Sequence, residues 1–236
     1  MAHRCLWPLC LLVLLLISSR SAHAVTPAPY ERQQLITFLG VAMNRSVGDE
    51  PKGAVGQLIV EWMARADHEG MTVTCSPGFS PYTMTSMVAA IERAARFAGL
   101  ESNSWNVVIR RYDNGPRYGM VYGDSLSAMV GLTVVALAKG DRVLPDHVLT
   151  GTITADGQLG PVSAVDSKIE AAYAMHFRRV IVPDSMDPSD KDWHTPFLMQ
   201  VSPIQWVAAA YHALTGRQMV SRFTSEQYAT KELATH

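Results

Sequence analysis

The sequence predicts a single α+β domain, built as two layers with a mixed sheet. Strand-like runs come first in pairs and later alternate with helix-like runs, which is typical of this class. The chain has 236 residues, 48% hydrophobic and 17% charged, so it is long and apolar enough for one real core and is not intrinsically disordered. Its formal net charge of −1 gives no reason to expect nucleic acid as a partner.

The pattern of apolar residues and turns predicts each element in order. An amphipathic helix is expected over 30–43, followed by a polar linker over 44–53. Further strands are expected at 57–65, 71–75, 106–112, 148–154, 158–162 and 179–182, and further helices at 83–98, 126–138, 168–175 and 204–214. The 126–138 run is apolar on all sides, which indicates a buried helix. Asp156-Gly157 favours a hairpin turn between its two neighbouring strands.

The first 24 residues have the features of a secretory signal peptide. Arg4 precedes an apolar stretch, and Ala22-His23-Ala24 has the small-x-small cleavage pattern. An uncleaved anchor is the alternative, but the apolar run is shorter than the roughly 20 residues of a spanning helix. We therefore expect export, periplasmic or secreted, with no stable membrane insertion after cleavage. The expected organisation is 1–24 signal peptide, 25–53 N-terminal helix and linker, 54–217 main domain and 218–236 C-terminal tail.

Several kinds of site find no support in the sequence. Cleavage of the signal would leave Cys75 without a disulfide partner, and its strand-like neighbours indicate a packing residue rather than the alternative, a nucleophile. The histidines lack the spacing of a zinc site, and no Gly-x-x-x-x-Gly-Lys-Ser/Thr loop is present. We therefore expect no metal and no cofactor. A Ser-His-Asp mechanism has no obvious base, which leaves lysine as the base to look for.

A serine at the start of the buried helix is the candidate nucleophile. Ser127 follows the polar turn Gly123-Asp124-Ser125. The first N–H groups of a helix lack intrahelical partners, so they are available to bind the oxyanion of an acyl-transfer intermediate. The alternative is a serine that merely begins a helix, where serine is common.

A lysine at the start of the next helix is the candidate base. Ser167 and Glu170 have the spacing of a capping box, which predicts Lys168 at the first helical position. The helix dipole there disfavours an ammonium ion and lowers its pKa. A base for catalysis near neutral pH needs a pKa of about 7–8, and the dipole alone is too weak. We therefore expect Lys168 to be largely buried beside Ser127, the alternative being a solvated lysine.

Four segments carry a family resemblance. Residues 150–162 are similar to a Thr-Gly-x-Ile-Thr-x-x-Gly hairpin that ends in proline and an apolar residue. Residues 168–172 and 180–183 match a lysine segment and its following strand, and Asp124-x-x-Ser127-Ala128 matches a nucleophile motif. From about residue 56 to residue 214, the chain thus resembles the proteolytic domain of Lon proteases, the serine–lysine peptidases.

The resemblance implies an S5-domain-2-like fold and a serine endopeptidase with Ser127 as nucleophile and Lys168 as general base. It implies that Thr150 helps orient the lysine amine and that Asp124 either supports the site or pairs with the lysine and holds it inactive. Ala128 belongs to the nucleophile motif. With no ATPase module expected, the substrates would be unfolded or flexible polypeptides. Assembly into a homo-oligomer, as in the family's rings, is left open.

The chain departs from the family pattern where the family has glycines. Ser125-Leu126 replaces Gly-Pro before the nucleophile, Met129 replaces the glycine after Ser-Ala, and Ser163-Ala164 replaces paired glycines before the lysine segment. These changes bear on backbone conformations, and hence on oxyanion geometry, more than on the dyad. Two other functions therefore stay open: a catalytically inactive Lon-like binding module, and an amidase or esterase that uses the same dyad.

Overall fold

The computed structural model describes residues 31–42, 52–112, 119–185, 187–188, 190 and 193–219. Its strands are β1 Glu31–Ala42, β2 Lys52–Ala64, β3 Thr72–Cys75, β4 Trp105–Arg111, β5 His147–Leu149, β6 Thr152–Ile153, β7 Leu159–Gly160, β8 Arg179–Pro183 and β9 Gln200–Ile204. Its helices are α1 Pro81–Phe97, α2 Ser127–Lys139, α3 Val165–Ala174 and α4 Val207–Thr215. The predicted signal peptide and most of the predicted linker and C-terminal tail lie outside the described residues.

The predicted α+β class with a mixed sheet in a single domain is confirmed. One sheet has the order β1-β2-β4-β3, in which β3 pairs parallel to β4 and the other pairs are antiparallel. A second sheet, β5-β8-β9, is parallel throughout. The predicted hairpin exists as the short antiparallel pair β6-β7. The S5-domain-2-like detail stays a prediction.

The helix predicted over 30–43 is wrong, because this segment is strand β1. It pairs with β2 along its whole length, from Glu31 opposite Met63 to Ala42 opposite Lys52. Ile36 and Leu39 belong to two different hydrophobic clusters. Burial on both faces of a strand removes the alternation by which a half-buried strand is recognised. The linker prediction also fails at its end, since β2 already begins at Lys52, and β1 is part of the domain.

Helix α2 lies at the centre of the larger core. All its residues from Ser127 to Leu137 are buried, as the sequence predicts. Gly131 allows α1 to approach closely, because a Cβ atom there would lie 2.7 Å from the Ala90 carbonyl oxygen. At the other end of α2, the Arg32 guanidinium on β1 donates to the carbonyls of Leu137 at 2.5 Å and Ala138 at 3.0 Å. The Leu137 carbonyl also accepts the Gly140 N–H at 3.1 Å, so the guanidinium adds a side-chain donor to a backbone cap at this end of the helix.

Helix α3 packs against β1 and β2 over the smaller core. A Cβ atom on Gly53 would collide with the carbonyl of Ser167, so β2 meets the first turn of α3 at backbone distance. Within the described part of the chain, no helix combines the length and the apolar character needed to cross a bilayer.

Candidate active site

Ser127 is the first residue of α2 and is 2% exposed. The residue before it, Leu126, provides no side-chain cap for the helix. The Ser127 N–H donates instead to the carbonyl of Asp124 at 2.8 Å, which closes a tight turn before the helix. The predicted position of this serine at the start of a buried helix is confirmed.

The segment that follows β5 is hydrogen-bonded to the turn before Ser127. The Gly151 N–H donates to the Ser125 carbonyl at 2.8 Å, and the Thr150 hydroxyl donates to the same carbonyl at 3.3 Å. The Thr150 N–H donates to the Ile181 carbonyl in β8 at 3.0 Å. Thr150 is fully buried. Its hydroxyl therefore fixes the turn before Ser127, while an orienting role toward the lysine stays a prediction.

The first donors of α2 are not free in this structure. The Ala128 N–H donates to the Gly151 carbonyl at 3.1 Å, and the Ser127 N–H is used by Asp124. The expectation of open N–H groups at the start of this helix is therefore wrong for these two residues. An oxyanion has to displace the Gly151 carbonyl before it can use the Ala128 N–H.

Lys168 is the fourth residue of α3, not the first, because the helix begins at Val165. The capping box predicted from Ser167 and Glu170 is therefore wrong. The carboxylate of Asp190 caps the helix instead, accepting from the N–H groups of Ala164 at 2.6 Å and Val165 at 3.0 Å. Nothing in the local spacing indicates a cap that comes from 26 residues further along the chain.

Ala164 precedes α3 in the left-handed conformation, with φ of +57°. It lies at a position where the Lon pattern that the sequence resembles has glycine, and glycine adopts this conformation without strain. The backbone before α3 therefore has a conformation that glycine adopts more easily than alanine does.

The predicted burial of Lys168 is confirmed, since the residue is only 2% exposed, while its expected place beside Ser127 stays a prediction. Its Nζ atom donates to the Ser163 carbonyl at 2.8 Å. Burial lowers the pKa of Lys168 to about 8, while the charges of Asp190 and Asp124 act in the opposite direction. Desolvation, more than the helix dipole, is thus the cause. At pH 7 a group with this pKa is neutral in about a tenth of the molecules.

Asp124 connects the serine turn to two other groups. Its carbonyl accepts the Ser127 N–H, and its Oδ2 atom accepts a hydrogen bond from the Tyr82 hydroxyl at 2.9 Å. The hydrogen bond to Asp124, and after it the Asp124 charge, raises the pKa of Tyr82, and the same charge partly opposes the lowering of the Lys168 pKa. The Tyr82 ring stacks on Tyr122 with 5.7 Å between ring centroids. Sequence reasoning missed Tyr82, because a tyrosine in the first turn of a helix carries no local signal of such a contact.

Two other features lie apart from these residues. Cys75 ends β3, is half-buried and packs on the larger core, and burial raises the pKa of its thiol, which agrees with a packing role.

A cavity of about 520 Å³ is lined by Asp146, His147, Arg178 and neighbouring residues at the start of β5 and β8. Thr150 follows the opposite end of β5, so the cavity lies apart from the candidate site. Among the described side chains, no group of three or more His, Cys, Asp or Glu could hold a metal ion.

Comparison with known proteins finds partial similarity to archaeal Lon proteases. The chain is 32% identical to that of Archaeoglobus fulgidus over 88 residues, which are 37% of this chain and 14% of the relative. It is 32% identical to that of Methanocaldococcus jannaschii over 68 residues, 29% of this chain and 10% of the relative. It is 34% identical to that of Pyrococcus abyssi over 79 residues, 32% of this chain and 8% of the relative.

No family profile matches the chain. The chain thus spans only a small part of the length of the curated relatives that it matches. The similarities indicate a Lon-like region in this chain and suggest a peptidase.

Proposed function

We propose that this protein is a serine endopeptidase that cleaves unfolded or flexible polypeptides without ATP, with Ser127 as nucleophile and Lys168 as general base. The observation that carries the proposal is the burial of Lys168, whose amine contacts a backbone carbonyl rather than a carboxylate. A fully buried lysine costs folding free energy and is rare unless it is paired. Perturbed ionisable groups of this kind cluster at functional sites.

The position of Asp124 supports the pairing of these two residues. Its backbone holds the Ser127 N–H, and its charge acts on the Lys168 amine. The same residue thus holds the turn before Ser127 through a hydrogen bond and affects the pKa of Lys168 through its charge. The archaeal Lon proteases that the chain resembles supply the reaction type.

The proposed reaction is acyl transfer. The Ser127 Oγ atom attacks the carbonyl carbon of the substrate peptide, and its proton moves to the neutral Lys168 Nζ atom. The tetrahedral intermediate collapses, the C–N bond breaks, and the leaving amine takes the proton from Lys168. Water then attacks the Ser127 ester and gives a proton to Lys168; the C–Oγ bond breaks, Lys168 returns the proton to Ser127 Oγ, and the acid product leaves. During attack, the substrate oxyanion replaces the Gly151 carbonyl as acceptor of the Ala128 N–H.

The test compares Ser127→Ala and Lys168→Met with two matched controls, Ser125→Ala in the same turn and Lys52→Met on the exposed start of β2. Cleavage of an unfolded protein and a peptide panel is measured with and without ATP. Both dyad variants are expected to lose at least about 100-fold in kcat/KM, the lower end of a general base's contribution. The controls are expected to retain activity, and ATP to have no effect. Activity that survives both dyad substitutions refutes the assignment.

A catalytically inactive Lon-like binding module is the second candidate, favoured by the Ala128 N–H that is already bonded to Gly151. A serine-directed covalent probe applied near neutral pH separates the two. Labelling of Ser127 supports the enzyme, and a folded protein that resists labelling supports the binding module. Hydrolysis of esters but not of peptides would instead identify an amidase or esterase with the same dyad.

We also propose that the protein is exported, on the basis of the signal-like residues 1–24. Cell fractionation with N-terminal sequencing of the mature chain tests this, with Val25 as the expected first residue. An intact N-terminus in the cytoplasmic fraction contradicts it.

A further inference from the structure

We propose that Tyr82 is a positioning residue that holds the Asp124 carboxylate away from Lys168 and so keeps the lysine amine available as a base. The inference rests on the proposed function. In the structure the two charged groups have different partners. Asp124 Oδ2 accepts from the Tyr82 hydroxyl at 2.9 Å, whereas Lys168 Nζ donates to the Ser163 carbonyl at 2.8 Å.

Tyr82 is held at a fixed place relative to the turn that carries Asp124. It is the second residue of α1, whose N-cap Ser80 accepts the Thr83 N–H through its hydroxyl at 3.1 Å. The Ser80 N–H in turn donates to the carbonyl of Val121 at 2.9 Å, three residues before Asp124. The start of α1 and the approach to the nucleophile turn are therefore joined through their backbones.

Stacking on Tyr122 provides a second anchor for the Tyr82 ring. The two rings lie 28° from parallel, and Tyr122 is itself two residues before Asp124. The stacking contact of the Tyr82 ring and the hydrogen bond from its hydroxyl to Asp124 are thus made to the same short segment. Because the ring is already held by stacking, the hydrogen bond to the carboxylate costs less side-chain conformational entropy. This favours the hydrogen bond although Tyr82 is half exposed.

The charges of two carboxylates, Asp190 and Asp124, raise the pKa of Lys168. The two carboxylates differ in the groups that hold them in place. Both oxygens of Asp190 accept backbone N–H groups at the start of α3, so this carboxylate is fixed by the helix itself. Asp124 is held by a side-chain hydroxyl on another helix. Loss of that hydroxyl frees Asp124 to approach the amine, and an ion pair between them would favour the protonated, inactive lysine.

The experiment uses Tyr82→Phe in the full chain, with Tyr122→Phe as the matched control. Both changes preserve the ring stack, and only the first removes the hydrogen bond to Asp124. Two quantities are measured against pH: kcat/KM on a peptide substrate, and the NMR signal of the Lys168 side chain, assigned by its loss in Lys168→Met. The same pair of tyrosine variants is then made in an Asp124→Asn background.

Tyr82→Phe is expected to raise the apparent pKa of Lys168 by about 0.5–1 unit in both measurements, with kcat/KM at pH 7 lower by roughly three- to tenfold, the size of one modest charge-assisted hydrogen bond. Tyr122→Phe is expected to change neither quantity. In the Asp124→Asn background, Tyr82→Phe is expected to have no further effect on the lysine. A merely structural role of Tyr82 would not depend on Asp124 in this way.

Failure of this inference and failure of the proposed function are distinguishable. An active protein whose Lys168 titration is the same with and without Tyr82→Phe overturns the positioning role. A shift that persists in full in the Asp124→Asn background overturns it as well. A protein that cleaves nothing, yet shows the Asp124-dependent shift, keeps the positioning role and loses the peptidase. If activity falls equally in both tyrosine variants while the lysine titration is unchanged, the aromatic pair contacts substrate and the inference is wrong.

Discussion

The carbonyl oxygen of Gly151 accepts the N–H of Ala128 at 3.1 Å, one residue after the candidate nucleophile. The Gly151 N–H donates at the same time to Ser125, two residues before that nucleophile. The backbone of Gly151 is therefore hydrogen-bonded on both sides of Ser127, to Ser125 before it and to Ala128 after it. In the proposed reaction, an oxyanion formed next to Ser127 would have to compete with the Gly151 carbonyl for the Ala128 N–H.

Binding of a peptide boronate to Ser127 is expected to break the bond between Ala128 and Gly151. The negatively charged adduct is a better acceptor than a neutral carbonyl, since charge-assisted hydrogen bonds are about twice as strong. The backbone ¹⁵N–¹H resonance of Ala128 should move on binding, and Ser127→Ala should show no such change. A Ser127 adduct that leaves the Ala128 resonance in place would mean that this N–H takes no part in oxyanion binding.

Replacing Lys168 by methionine is expected to stabilise the protein in a pH-dependent manner. The pKa of Lys168 is lowered from 10.5 to about 8 in the folded state. Below pH 8 the folded state must hold a buried charge, and from pH 8 to 10.5 it has lost a proton that the unfolded state keeps. Stability therefore rises with pH across this window.

The advantage of Lys168→Met over the wild type should be up to about 3 kcal/mol at pH 7 and should shrink toward pH 10.5. Urea unfolding of both proteins at several pH values between 7 and 10.5 measures it. Taking the difference between the two proteins cancels the titration of tyrosines and of Cys75. A difference that stays constant across this range would contradict the lowered pKa.

Removal of the Asp190 carboxylate is expected to weaken the start of α3 and to make Lys168 a weaker base. Asp190→Ala loses two hydrogen bonds to backbone N–H groups, at a cost of about 1–2 kcal/mol. The charge of Asp190 also raises the pKa of Lys168, so the pKa should fall further without it. Urea unfolding and NMR titration of the lysine measure the two effects, with the exposed Glu101→Ala as control. Unchanged stability would show that the cap is dispensable.

Ala164→Gly is expected to stabilise the protein by about 1 kcal/mol, because glycine adopts a left-handed conformation without the steric cost of a Cβ atom. Ala171→Gly, inside α3, should have the opposite sign and cost about 0.5–1 kcal/mol. The two substitutions are chemically identical and differ in backbone conformation. Urea unfolding at one pH compares them, and a loss of stability in both would contradict the conformation assigned to Ala164.

The sequence was sufficient where a local apolar pattern decides the structure. Helix α1 was predicted from its apolar spacing, and α2, buried from Ser127 to Leu137, was predicted from a run that is apolar on all sides and begins near Ser127. The burial of Lys168 was predicted from the pKa that a base requires. Strand β1 was not, since Ile36 and Leu39 face different cores and their spacing matches that of one helix face. Pairing with β2 outweighs local propensity there.

Contacts between residues far apart in the chain could not be predicted from local sequence patterns. The start of α3 depends on Asp190, which is 25 residues from Val165. The placement of the Asp124 carboxylate depends on Tyr82, 42 residues away. Neither pair has a characteristic spacing, so the capping box at Ser167 was a reasonable but wrong prediction.

The contact between Arg32 and the last carbonyls of α2 bears on where the folded unit begins. The boundary expected from the sequence, residue 54, would remove β1 together with this guanidinium. A recombinant fragment cut there would leave β2 as a bare sheet edge, which invites self-association, and would remove the side-chain donor from the last turn of the serine-bearing helix. A fragment that is to fold independently therefore has to start at or before Glu31.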